Sequence, residues 1–118
     1  MSLDINLMVT KRCPHCARLI GERYRAWEDN ITHNLNKMAG VAGLYYPIWH
    51  PEKMSVARAG ELVPLLRAGL SVLKDDPDEF KKHNPSNGWG TYDDFVPWVE
   101  RYLEACEQYP DAKIEAHG

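Results

Sequence analysis

Cys13, Pro14, His15 and Cys16 set two thiols three positions apart around a proline. At that spacing a turn can aim both sulfurs at one metal ion, or let them close on each other. Zinc takes four protein ligands in a tetrahedron, or three and a water. The sequence has no second Cys-x-x-Cys, so completing a site on Cys13 and Cys16 would fall to His33, His50, Cys106 or a second subunit.

The same four residues support two further readings. Residues 3–10 followed by Cys-Pro-His-Cys and a helix would resemble the opening of a thioredoxin or glutaredoxin. In that setting Cys13, at a helix N-terminus, would be the attacking thiolate. Those folds also need a proline loop, and the nearest candidate, Leu62, Val63 and Pro64, sits in a leucine-rich helical pattern. The other reading is a turn whose cysteines are incidental or left from a lost metal site. Cys106 falls on an apolar helical stripe and reads as a core residue.

A second group of residues suggests binding rather than bond-making. At about 100° per residue, Asn34 falls about 20° from Trp27 around a helix, with Asn30 one turn earlier and His33 and Lys37 just beyond. Amides bordering a buried stripe need partners, because burying one unpaired costs on the order of 1–3 kcal/mol. Tyr45, Tyr46, Trp49 and His50 crowd one loop; Asn84, Asn87, Trp89 and Tyr92 lie in or near another. Aromatic walls with a few amides and a histidine suit a planar, polar small molecule. The candidate ligand-binding residues are therefore Asn30, His33, Asn34, Lys37, Tyr45, Tyr46, Trp49, Trp89 and Tyr92. An anionic, nucleotide-like ligand would need local positive charge from Lys37, Arg23 or Arg25. The plainer alternative is that the amides tie down loops while the aromatics fill the core.

Several functions are disfavoured. No phosphate-cradling glycine loop, Gly-x-Ser-x-Gly elbow or His-Glu-x-x-His pair is present. Asp75/Asp76 and Asp93/Asp94 stand at helix starts, where acids suit the dipole. The sequence thus points away from an enzyme. A net charge of −3 without a Lys/Arg block argues against a nucleic-acid polymer as partner. No apolar run approaches the roughly 18 residues of a membrane helix. The N-terminal residues lack signal-peptide character, and three cysteines do not suggest a disulfide scaffold. The expected location is the cytosol.

The elements that must position these residues follow from periodicity. Leu3, Ile5, Leu7 and Val9 alternate with polar neighbours as a half-buried strand does. Residues 17–24 read equally as a return strand or a helix start. Residues 24–39 read as a helix on Trp27, Ile31, Leu35 and Met38, ended by Gly40 and Gly43. An aromatic loop over 44–51 precedes a helix over 56–74, which Pro64 should kink or divide. Asp76 and Pro77 open a short helix to Lys82, and residues 83–90 form a loop. Thr91 to Asp94 approximates a capping box for a helix carrying Phe95, Val99, Tyr102, Leu103 and Cys106. Residues 112–116 suit a strand beside residues 3–9. The expectation is one α+β domain over residues 1–118: a short antiparallel N-terminal strand or hairpin, joined by a C-terminal strand, on three to four helices.

Asp4-Ile5-Asn6-Leu7, the run from Trp27 to Leu35 containing Asn-Ile-Thr-His-Asn, and Asn87-Gly88-Trp89-Gly90 resemble a family of small bacterial and phage or prophage proteins. The resemblance covers most of the chain and implies a mobile-element setting with no established activity. Plain hairpins are common among such proteins where this chain has its cysteines, which weakens the redox reading. Proteins of this kind often bind a host protein or sequester a host signal in a pocket at an oligomer interface. The sequence-based expectation is a non-enzymatic binding protein in the cytoplasm of a bacterial host cell, with a polar-aromatic pocket in a homo-oligomer and a ligand resembling a nucleotide immune signal. The alternatives are a zinc-knuckle module that docks on a host protein, and a thiol oxidoreductase.

Overall fold

The computed structural model describes residues 2–12, 19–84 and 90–117. Strand β1 (Ser2–Arg12) pairs antiparallel with β2 (Leu19–Thr32) on one side and with β3 (Lys113–His117) on the other. Among the described residues, five helices complete the α+β fold: α1 (Asn36–Val41), α2 (Tyr45–Trp49), α3 (Ala59–Asp75), α4 (Pro77–Lys81) and α5 (Tyr92–Gln108). Short 3-10 turns cover His33–Leu35 and Pro51–Met54. No helix among the described residues is long and apolar enough to cross a membrane.

Alternation in β1 decides which side of the sheet is the core. Leu3, Ile5 and Leu7 are buried, and their partners across the ladders are Ile31, Asp29 and Trp27 on β2 and Ala116 and Ile114 on β3. Asp4 and Asn6, at the alternate positions, face Asn30 and Glu28 on the outer side. The ladder skips Ala26, since Leu7 pairs with Trp27 but Met8 with Arg25. One extra residue of this kind is a β-bulge, which bends and twists the strand.

The helix expected over 24–39 is therefore replaced, up to Thr32, by a strand. Trp27 and Ile31 do share a face, but a spacing of four is even and fits a sheet as well as it fits a helical turn. Alternation is hidden at Asp29, which stands between them on the core side. Arg101 Nε of α5 approaches Asp29 Oδ2 at 3.5 Å, which gives the carboxylate its partner. Only Leu35 and Met38 lie in helical backbone, in the 3-10 turn and α1.

Helix α5 closes the core face of the sheet. Trp27 stacks on Tyr102 with centroids 5.3 Å apart and planes at 10°, and Trp98 meets both rings edge-on or tilted. The Trp98 indole donates to the Asn30 carbonyl at 2.9 Å. Beyond α5, α3 contributes Leu62, Leu66, Leu70 and Leu73 to the same core. Pro64 neither divides nor ends α3, which runs unbroken for 17 residues. Both Pro64 and Pro97 sit on exposed positions of their helices, where water can solvate the carbonyl that each leaves without an amide partner.

Helix starts follow the sequence signals. Asp94 stands in for the usual Glu of the capping box, its Oδ2 accepting from the Thr91 amide at 3.3 Å. Asp76 accepts from the Glu79 amide to open α4. Glu61 accepts from the Arg58 amide at 3.1 Å and opens α3 at Ala59, three residues later than the periodicity suggests. The intervening backbone at Ala57 and Arg58 bonds instead toward β3.

Gly69 lets α3 approach the chain just before α2: a Cβ there would run into the Leu44 side chain, which is fully buried. Gly69→Ala should lower unfolding free energy by about 1–3 kcal/mol in a denaturant titration. Gly40→Ala, whose Cβ meets nothing within 4 Å in helix α1, should be neutral or stabilising by up to about 1 kcal/mol. Equal effects at the two sites would contradict this packing.

Candidate functional site

Four of the expected binding residues converge where the sheet ends. The Thr32 hydroxyl accepts from the Asn34 amide at 3.3 Å and turns β2 into the 3-10 turn that carries His33. Gly43, with φ of +76°, supports the reversal between α1 and α2 that a side chain would strain. Helix α2 is a single turn, Tyr-Tyr-Pro-Ile-Trp. Ile48 and Trp49 are buried, while Tyr45 and Tyr46 lie toward the surface.

Spacing of four within that turn stacks Tyr45 on Trp49, with centroids 5.8 Å apart and planes at 17°. Tyr46 meets Tyr45 edge-on at 5.2 Å. His50 leaves the helix at φ −139°, and its ring lies 5.5 Å from Tyr45 and 6.3 Å from Tyr46. Pro51 then starts the next turn, which brings Glu52 to His50. The Trp49 indole reaches across and donates to His33 Nδ1 at 2.9 Å. An indole N–H only donates, so Nδ1 must accept, and His33 is held as the neutral tautomer with its proton on Nε2. The result is a contiguous set of rings, His33–Trp49–Tyr45–Tyr46–His50, with Tyr46 the most exposed at 50%.

Other expected residues stand elsewhere. Asn34 and Lys37 are exposed on the segment that begins at His33. Neither Asn30 nor Asn34 borders a buried helical stripe, because Asn30 belongs to a strand and lies on the outer side of the sheet beside Asp4. Water satisfies an exposed amide, so the burial argument that singled out these two amides does not apply to them. Tyr92 is buried, with its hydroxyl donating to the Leu73 carbonyl at 2.8 Å and its amide to Asn84 Oδ1. It serves the α3–α5 packing. Arg25 pairs with Glu28 at 2.7 Å on the sheet. Trp89 lies outside the described residues, as do Asn87 and the Cys13–Cys16 pair. His50 and Glu52 are the members that the sequence reading did not place among the ligand-binding residues. Their signal was the His-Pro-Glu run closing the aromatic loop.

The zinc and redox expectations rest on the cysteine turn, and the described residues bear on its surroundings. From Leu19 the chain runs as strand β2, whereas a thioredoxin-like opening continues as a helix. Among the described residues no three His, Cys, Asp or Glu side chains are grouped to hold a metal. His33 is engaged by Trp49 through Nδ1, and His50 lies between Tyr45 and Glu52. Cys106 is fully buried. Its thiol is pushed up to about 12, chiefly by burial and then by the Glu107 carboxylate.

The chain matches no family model, no curated protein and no solved structure.

A thiol raised by folding keeps the protein stable while it stays protonated. The Cys106 contribution is full below the ordinary value of 9.0 and is lost as pH rises from there through about 12. Denaturant titrations should therefore show stability falling across that alkaline window, and falling less in Cys106→Ala. In the native protein at neutral pH, Cys106 should resist alkylation until denaturant is added; prompt labelling would place the thiol outside the core.

Proposed function

We propose that this chain is a non-enzymatic binding protein of phage or prophage type, acting in the cytoplasm of a bacterial host. Its ring set around Tyr45, Tyr46 and Trp49 takes a planar, polar small molecule resembling a nucleotide, the chemistry of an intracellular immune signal. The observation that carries this reading is the contiguous ring set of His33, Tyr45, Tyr46 and Trp49, with Trp49 buried behind Tyr45 and bonded to His33. Rings held by stacking and by the His33 bond need little ordering when a ligand arrives, which lowers the entropic cost of binding. Stacking of a base on such a ring is worth about 1–3 kcal/mol. His33 Nε2–H and the exposed amide of Asn34 supply directed donors, and Lys37 supplies positive charge for a phosphate. Arg25 is already paired and contributes less.

The test is a thermal-shift and calorimetric panel of linear and cyclic nucleotides at millimolar concentration. At least one should raise the melting temperature, and Tyr46→Ala and Asn34→Ala should each weaken that ligand about tenfold or more. Both are surface changes that should move intrinsic stability by about 0.5 kcal/mol or less. A panel with no shift, or a shift indifferent to Tyr46, would count against the proposal.

A second reading, docking on a host protein or on another copy of the chain, is favoured by a separate observation. Val41, Tyr46 and Met54 are exposed large hydrophobic residues within a stretch of 14 positions. On that reading the cysteine turn holds zinc as a knuckle. Stoichiometric zinc whose chelation unfolds the protein would support it, and a metal-free protein that stays folded would remove the zinc.

A further inference from the structure

Glu52, His50 and Tyr45 form a hydrogen-bonded series that stacking alone does not require. Tyr45 Oη lies 3.2 Å from His50 Nε2, and His50 Nδ1 lies 3.3 Å from Glu52 Oε1. An ionised carboxylate only accepts, so Nδ1 carries the proton, and in the neutral imidazole Nε2 presents its lone pair to the phenol. The series then runs one way: the Tyr45 hydroxyl donates to His50, and His50 donates to Glu52. A hydroxyl, a base and a carboxylate that orients the base are the parts that activate a weak nucleophile. Tyr45 is also held in place, stacked on Trp49, whose indole is fixed by His33. Tyr46 provides an internal contrast. It is more exposed, and only its ring, 6.3 Å away by centroid, approaches His50.

We infer that Tyr45 is a nucleophile for a single, stoichiometric acylation without turnover, taking the acyl group of an aryl ester seated on the exposed parts of the Tyr45 and Tyr46 rings. Tyr45 Oη forms a bond to the acyl carbon while its proton moves to His50 Nε2. The bond from that carbon to the aryl oxygen breaks, and the aryl oxide leaves with the proton from His50. The products are O-acyl-Tyr45 and a free phenol, with no change of oxidation state. Glu52 is a positioning residue that acts through His50. The seating of the ester rests on the reading of these rings as an aromatic-ligand site; the activation of Tyr45 rests on the hydrogen-bonded series alone.

The experiment treats the whole chain with p-nitrophenyl acetate and follows acetylation of Tyr24, Tyr45 and Tyr46 in one sample by peptide mass spectrometry. Tyr45 should be acetylated about tenfold or more faster than Tyr46 despite its lower exposure, a modest share of what a general base supplies. His50→Gln should erase that advantage. Glu52→Gln should lower the saturating rate and leave the half-saturating ester concentration unchanged, with partial recovery in Glu52→Asp. A Tyr45 rate no higher than that of Tyr46 in the native protein, or a ratio unmoved by His50→Gln, would overturn the inference. Because the native ratio is internal, it stands even if a variant fails to fold. A rate that rises linearly with ester while the ratio holds would retain the activated Tyr45 and remove the aromatic seat, separating the two claims.

Discussion

A single N–H···N bond, from the Trp49 indole to His33 Nδ1, joins the end of the sheet to the aromatic turn. Helix α2 is one turn long, too short to hold its shape by backbone bonds alone, since helices of this length are unstable in isolation. It is instead held by the burial of Leu44, Ile48 and Trp49 and by that bond. Fixing Trp49 fixes Tyr45 stacked upon it, and fixing Tyr45 sets where its hydroxyl meets His50. The platform and the hydrogen-bonded series are two consequences of one anchored indole.

A second indole bond works a few residues earlier, within strand β2. Trp98 of α5 donates to the Asn30 carbonyl and, with the Trp27–Tyr102 stack, holds the long helix against the sheet. The end of β2 and the turn that follows it thus carry two tryptophan anchors. Gly90, with φ of +81°, brings the chain entering α5 close to Thr32 and Leu35, where a Cβ would collide with the Thr32 side chain and crowd that of Leu35. The position of His33 is set by the packing of elements distant in sequence, as the approach of α5 and α2 to one strand end requires.

Much of this fold was legible in the residues. The alternation of residues 3–9, the acids and prolines that open α4 and α5, the leucine stripe of α3 and the closing strand all carry local signals that packing agrees with. The first part of β2 was open to a strand reading, but its continuation past Tyr24 was not legible, because Asp29 interrupts its apolar alternation and the spacing of Trp27 from Ile31 serves either periodicity. The charge that permits Asp29 there belongs to Arg101, 72 positions away. The aromatic cluster was legible as a concentration of rings, whereas its hydrogen bonds were not. Nothing local in Asn-Ile-Thr-His-Asn says that His33 receives an indole N–H, and nothing local in Tyr92 says that its hydroxyl is spent on the Leu73 carbonyl. Both depend on which elements fold against each other.

The central claim is that the rings anchored by Trp49 form the ligand-binding surface, and the anchor itself reports on it. The measurement is the indole N–H resonances of the 15N-labelled protein as adenosine 5′-monophosphate is titrated to millimolar concentration. The Trp49 resonance should move in a saturable way while that of Trp98, bonded to the Asn30 carbonyl, stays in place. A Trp49 resonance that does not move, or that moves only together with Trp98, would contradict it.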